Sequence, residues 1–322
     1  ADSNFGIVVE RDYQIAQALN KMKSTTGFPE RINLTWVKTS SEKILPIAEL
    51  LAQSDMLRSV SLSMQSMSEK TLDAIKRKNL KADSFEGLIK TFSSKNIPTY
   101  TELIMGLPEE TIDSWKEGWN VLADIIPHPM VMTWNCGVFP NAPMNDPAYK
   151  QKYGIKTFTS PMFMRYSEKQ ELVPEYQYMV SETNALPNGS IKELYLFNWT
   201  MMVFHAFGIT EFIARFYKQY HRLPYSQFYD TLIEYFKVSH GIFSKEFGIA
   251  SNHASEGYAG KSWDYFDSNI GSISWTLEEA SWLHLTRDKQ VLREEVIAFM
   301  QFLEAKYHYV IDSKIRKELL DF

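Results

Sequence analysis

The sequence has a single cysteine, Cys136, among 322 residues. That excludes an internal disulfide framework and fits a reducing compartment, so a cytoplasmic setting is the expectation. It also excludes an iron–sulfur cluster held by the chain's own thiolates, because such clusters need several. No run of like charges forms a tail, and the formal net charge of −5 argues against a sequence-independent grip on nucleic acid. Long uninterrupted apolar runs are missing too. The most apolar window, Leu194 to Phe216, contains Asn198, His205, Glu211 and Arg215. A charge near a bilayer centre costs about 3 kcal/mol, so this window reads as a buried helix. There is no Walker A run, no nucleophile elbow and no G-x-G-x-x-G. No signal peptide opens the chain, which begins ADSNFG without Met and so reads as a fragment or trimmed chain. Without an export signal, the sequons NLT, NGS and NWT read as chance matches.

What is present suits a folded chain: hydrophobic residues make up 44%, enough for a sizeable core. Up to about residue 140, helix-like and strand-like segments alternate. Apolar residues at Ile15, Ala18, Leu19 and Met22 give a helical period over Arg11–Thr25. INLTWV (Ile32–Val37), SVSLSM (Ser59–Met64), TYTELIM (Thr99–Met105) and MVMTWNCGVF (Met130–Phe139) read as strands. Helices are expected between them: from a Ser40 cap through Ser54, at Ser68–Arg77 and Ser84–Ser94, and from about Glu109 to Ile125. Strands joined by helices run parallel, since a tight hairpin cannot connect them. An open doubly wound sheet and a partial or full barrel both fit. In either, ligands sit at the carboxyl ends of the strands. The residues that matter are then Asp2, Asn4, Lys38, Gln65, Gly106 and the run Asn135 to Asn141.

After FPNAPMNDP the pattern changes. Pro140, Pro143 and Pro147 interrupt regular structure, and helices are expected to dominate beyond about Ser160. Ile191–Tyr220 reads as one long aromatic helix, and another helix starts at Pro224. The stretch EFGIASNHASEGYAGKSWDYF (Glu246–Phe266) reads as a glycine-rich loop. Thr276 and Glu279 form a capping box for a helix through Leu285, and Asp288–Tyr307 reads as an amphipathic helix. His240, His253 and Glu256 have no standard metal-ligand spacing. The cluster Trp263, Tyr265, Phe266, Trp275 and Trp282 reads as packing first and as a pocket lining second.

The segment TYTELIMGLPEET (Thr99–Thr111) carries an acid in an otherwise apolar strand. Side chains alternate along a strand, so Tyr100, Glu102 and Ile104 share one face. A carboxylate facing an interior needs a partner, and two adjacent ribose hydroxyls would supply one for each oxygen. A surface acid on an edge strand is the alternative. Gly106 would let the backbone approach a flat ligand. On the neighbouring strand Gln65 stands at the exit and offers a donor and an acceptor. Arg77 follows with a planar cationic fork suited to a carboxylate.

LSMQSMSEKTLDAIKRKN followed by TYTELIMGLPEET resembles the radical SAM superfamily. The Gln-Ser after one strand and the acid-Leu-Ile-x-Gly-Leu-Pro of the next are similar to the coproporphyrinogen-dehydrogenase-like branch. ADSNFG through VKTSSEK, FPNAPMNDPAYKQKYGI and YLFNWTMMVFHAFGITEFIARFY resemble a narrower group, the cobalamin-binding-domain-containing radical SAM proteins. The likeness covers nearly the whole chain. It implies an α/β fold: a partial parallel (β/α) barrel over residues 1–150, followed by an all-α domain over residues 160–322. It implies S-adenosylmethionine, a [4Fe–4S] cluster and cobalamin as cofactors, and methyl transfer or another radical rearrangement as the reaction. A small-molecule substrate and an electron donor such as flavodoxin or ferredoxin are the implied partners.

Residue by residue, the resemblance puts Glu102 on the ribose and Gln65 in the same site. Arg77 would meet the methionine carboxylate. Ile104 with Gly106 would touch adenine. Asp2 and Asn4 would lie by the methionine amino group, Asn141 would flank adenine, and Lys38 would meet a carboxylate or solvent. The family's C-x3-C-x2-C run is absent, and its cobalamin-binding domain is not among these residues. Cys136 is expected in the core. The chain alone is therefore expected to form no 5′-deoxyadenosyl radical. Two other readings remain: a metal-independent barrel hydrolase pairing Glu102 with Asp2, and a non-catalytic module whose helical half is a docking surface.

Overall fold

The computed structural model describes residues 4–37, 43–79, 82–126, 131–162, 166, 175–187 and 189–320. The chain divides into two compact units, Ala1–Ile104 with Leu122–Trp134, and Met105–Val121 with Asn135–Phe322.

The first unit opens with α1 (Val9–Thr26), which ends where Gly27 turns left-handed (φ 79°) and its N–H reaches the Lys23 carbonyl. Only glycine takes that conformation without strain. Helix α2 (Leu45–Gln53) has Pro46 in its first turn and buries Ile47, Ala48 and Leu51. Strand β1 (Val60–Ser61) lies parallel to β2 (Thr99–Met105), with Val60 opposite Thr99 and Ser61 opposite Tyr100. Helices α3 (Glu69–Ala74) and α4 (Ala82–Ser94) make the crossover that parallel pairing requires. After α5 (Ile112–Ile125), β3 (Val131–Asn135) completes a sheet ordered β1-β2-β3. Burial alternates along β2: Thr101, Leu103 and Met105 are buried, whereas Tyr100, Glu102 and Ile104 are half-buried. The expected strand Ile32–Val37 is represented by two isolated parallel bridges, Ile32 with Leu57 and Phe5 with Trp36. Ser40, the expected cap, lies outside the described residues.

The second unit is mostly helical, with one hairpin that the expectation of an all-α domain did not contain. After α6 (Pro147–Tyr153), β4 (Lys156–Met162) pairs antiparallel with β5 (Glu175–Glu182). Gly137 bridges to Met179, so the chain leaving β3 joins this hairpin. The long helix expected over Ile191–Tyr220 is broken. Helix α7 (Ser190–Thr200) passes into a π-helical turn (Met201–Ala206), Gly208 turns left-handed, and α8 (Glu211–His221) follows. Helix α9 (Tyr225–Val238) begins after Pro224, as read from the sequence.

The glycine-rich loop expected at Glu246–Phe266 is instead mainly helix, α10 (Ile242–Tyr258). Gly257 is there for packing: a Cβ on it would lie 2.7 Å from the Trp263 ring. Thr276 caps α11 (Leu277–Thr286) by accepting from the Glu279 N–H, as the capping box requires. Helices α12 (Lys289–Tyr307) and α13 (Ser313–Glu318) finish the unit. Trp199, Phe204, Phe228, Phe236, Phe243 and Phe299 are almost fully buried in this half. At roughly 2–3 kcal/mol per fully buried large apolar side chain, such rings dominate its stabilisation. No helix among the described residues is long and apolar enough to cross a membrane.

Candidate functional site

Strand β1 leaves the sheet through Ser61, Ser63 and Gln65, and β2 runs beside it through Tyr100, Glu102 and Ile104. The Gln65 N–H donates to the Glu102 carbonyl at 2.8 Å, and the Ile104 N–H donates to the Gln65 carbonyl at 2.8 Å. The two residues singled out on adjacent strands are thus bonded main chain to main chain. Between Ser61 and Gln65 the chain advances four residues while its partner advances three, from Tyr100 to Leu103. This is a bulge, and Gln65 absorbs it at φ 60°. A left-handed non-glycine residue costs about 1–3 kcal/mol and persists only where its surroundings impose it.

Glu102 is held by hydroxyls on one oxygen only. Ser61 Oγ donates to Oε2 at 3.1 Å, Ser63 Oγ donates to the same atom, and the two serines are 2.7 Å apart. Both serines are buried. Among the described residues Oε1 has no hydrogen-bond partner, and neither does the Gln65 side-chain amide. One carboxylate oxygen and one amide therefore stand uncommitted near the exits of neighbouring strands. The charge at Glu102 is felt around it. Burial pushes the Tyr100 phenol up, Glu102 adds to this, and a hydrogen bond with Ser61 works the other way. Burial pulls the Arg77 guanidinium down while Glu102 opposes it, although the described residues contain no ion pair between the two.

Arg77 arrives by a helix ending. Helix α3 starts at Ser68, whose side chain accepts from the Thr71 N–H, and ends with Lys76 left-handed at φ 54°. The Arg77 N–H then reaches back to the Leu72 carbonyl at 2.8 Å, closing a Schellman turn. Its side chain meets the protein itself: Nη2 donates to the Ser63 carbonyl at 2.8 Å and Nε to Asn79 Oδ1 at 3.3 Å.

The remaining sequence candidates fall elsewhere. Asp2 and Lys38 lie outside the described residues. Asn4 and Asn141 are exposed, Asn4 ahead of α1 and Asn141 in the turn after β3. Gly106 is left-handed at φ 85°, and a Cβ there would come within 3.0 Å of the Ile191 Cδ1 and 3.7 Å of Cys136 and Val180. Protein atoms occupy the space beside it. Cys136 is buried and its thiol is pushed up to about 12. Ser61, Ser63 and Asn79 are not among the residues expected from the sequence. The polar period-two run Ser-x-Ser-x-Gln on an otherwise apolar strand was the available signal.

No set of three His, Cys, Asp or Glu side chains among the described residues could hold a metal. Burial depresses the His253 imidazole, and Glu256 pairs with Lys261 at 2.8 Å. The aromatic cluster is packing for the most part: Trp263 lies against Tyr195, Tyr258 and His253, while Tyr265 bridges to Trp275.

Fold and site together define a mixed α/β protein with a parallel sheet whose strand exits carry a cluster of polar side chains. No family model matches the chain. It is 34% identical over 235 residues to the cobalamin-dependent radical SAM methyltransferase TokK of Streptomyces tokunonensis, which covers 73% of this chain and 34% of that protein. Over the same length it is 32% identical to the 2-(S-pantetheinyl)-carbapenam-3-carboxylate methyltransferase of Streptantibioticus cattleyicolor, again 73% of this chain and 34% of the relative. The chain spans about a third of the length of these curated relatives. It belongs with the cobalamin-binding radical SAM proteins, the class that the name of the first of these relatives states.

Proposed function

We propose that this chain supplies the nucleoside-holding wall of a radical SAM enzyme, built on a partial parallel barrel, and that the whole protein transfers methyl groups. The observation that carries the reading is the pair of uncommitted groups on bonded neighbouring strands: Glu102 Oε1 and the Gln65 amide. A ribose diol suits a carboxylate with an open oxygen, and half-buried Ile104, two residues along on the same face of β2, offers apolar surface to a base. S-adenosylmethionine therefore fits the residues present. Bound to a reduced cluster, it would supply a carbon radical. What this chain contributes is binding and orientation.

The cluster does not fit this chain's residues, because the one thiol is buried and pushed up to about 12. Its ligands, and the cobalamin site, belong in this reading to the intact protein, as do a small-molecule substrate and an electron donor such as flavodoxin or ferredoxin. The names of both relatives support methyl transfer as the chemistry.

The test is equilibrium binding of S-adenosylhomocysteine to this chain and to Glu102→Ala. A hydrogen bond to a charged group is worth about 1.5–3 kcal/mol, so the substitution should weaken binding about 10- to 100-fold. Equal affinities for the two chains, both folded by circular dichroism, would overturn the assignment.

A further inference from the structure

We infer that Arg77 and Asn79 are positioning residues that clamp both flanks of the Gln65 turn, and so set the cradle before any ligand arrives. The inference rests on the nucleoside reading above for its purpose, but on separate contacts for its substance. Arg77 Nη2 donates to the Ser63 carbonyl at 2.8 Å, on one side of Gln65. Asn79 Nδ2 donates to the Ser66 carbonyl at 2.7 Å, on the other. The two side chains are tied to each other, Arg77 Nε donating to Asn79 Oδ1 at 3.3 Å. Four residues of main chain are thereby spanned by a two-residue bracket.

The turn needs such a bracket. Gln65 is left-handed without being glycine, and the register slips by one residue at that point. Strand pairing accounts for the Gln65 N–H and carbonyl, and the Ser66 N–H closes onto the Met64 carbonyl at 2.8 Å. The carbonyls of Ser63 and Ser66 point out of that pattern, and a buried carbonyl left without a donor is costly. The guanidinium and the amide supply the donors. An arginine suits the position because its fork can give one N–H to a carbonyl and another to Asn79 at fixed geometry, which a lysine cannot do.

This role differs from that of a carboxylate ligand in what it makes sensitive. A residue that meets the carboxylate of the amino-acid tail matters only to ligands that have the tail. A residue that holds the turn matters to any ligand that uses Gln65 and Glu102. The experiment is therefore binding of two probes, S-adenosylhomocysteine and 5′-methylthioadenosine, which lacks the tail, to the wild-type chain, Arg77→Lys and Asn79→Ala. Amide hydrogen exchange is read at Gln65 and Ser66 in the same three proteins.

The clamp predicts a loss of about tenfold for both probes and in both variants, as expected for one lost hydrogen bond to the turn. It also predicts faster exchange at Gln65 and Ser66 in both variants than in the wild-type chain, with Leu62 unchanged. A loss confined to S-adenosylhomocysteine in Arg77→Lys, with Asn79→Ala unaffected, would overturn it in favour of direct contact. Unchanged exchange at Gln65 and Ser66 in both variants would overturn it as well. If the wild-type chain binds neither probe, the nucleoside reading fails, and the exchange rates alone decide whether the clamp exists.

Discussion

His205 should make the helical unit acid-sensitive by an amount that can be worked out beforehand. It sits in the π-helical turn with no exposure to solvent, its Nδ1 lies 2.9 Å from the Tyr229 hydroxyl, and its buried Nε2 has no partner. Burial, and secondarily the charge of Arg215, pull the imidazole down to about 3. In the unfolded chain it returns to about 6.5. Between those values the unfolded state binds a proton that the folded state refuses. Stability from this residue is therefore complete above about pH 6.5 and falls as the pH falls, by roughly 1.4 kcal/mol per pH unit. At pH 4.5 the loss is about 2.7 kcal/mol, a large fraction of typical domain stability. Urea denaturation at pH 7, 5.5 and 4.5, followed by tryptophan fluorescence, measures it. Trp199 packs 5.9 Å from Phe204 beside the turn and reports on this core. His205→Gln keeps an acceptor for Tyr229 but cannot titrate, so its stability should fall less than that of the wild type by about 2.7 kcal/mol over the same range. Parallel pH profiles for the two proteins would refute the argument.

Three further outcomes follow from the structure. His284 lies between two carboxylates, with Nδ1 3.1 Å from Glu246 and Nε2 3.1 Å from Asp267, so His284→Leu, which takes a hydrogen-bond partner from the buried Glu246 carboxylate, should cost about 1–3 kcal/mol in urea denaturation at neutral pH. That cost should shrink on acidification, because burial already raises the Glu246 carboxyl and a proton there removes the unpaired charge. Gly106→Ala should lower stability by roughly 1–2 kcal/mol in the same assay, since it forces an alanine to φ 85° and presses on Ile191. Cys136 should resist iodoacetamide at pH 8 until urea unfolds the chain, because its thiol is buried and pushed up to about 12; labelling of the native protein at the rate of a free thiol would contradict this.

Helices with end signals were legible. Ser68, Thr276 and Asp288 each accept from an N–H in the first turn of the helix they precede. The departures share one cause: local preference reads glycine and apolar runs one way, and packing decides the outcome. Gly248 and Gly257 read as loop residues, yet α10 runs through both because Trp263 fills the space a side chain would take at Gly257. The apolar run from Ile191 to Tyr220 read as one helix, but the π-helical turn and Gly208 break it. The β4–β5 hairpin went unread because KTFTSPM and EYQYMVSE alternate only weakly, and the register that pairs Phe158 with Met179 is a tertiary fact.

The candidate site was legible to the same depth and no further. Parallel pairing follows from strands separated by helices, and it brings Gln65 beside Glu102 whatever their side chains do. The face shared by Tyr100, Glu102 and Ile104 follows from period two, and their burial agrees. The one-residue slip at Gln65 could not be read, because a bulge depends on both strands at once. That slip changes what Asn79 is for. Had β1 continued without a bulge to Gln65, Leu62, Met64 and Ser66 would have faced β2 and the Ser66 carbonyl would have had a strand partner, whereas the Ser63 carbonyl faces away from β2 in either register. With the bulge, those carbonyls need donors, and Arg77 and Asn79 provide them. A residue type that suits a carboxylate suits a stranded carbonyl equally well, and only the contact that the Arg77 guanidinium makes with the Ser63 carbonyl separates the two uses.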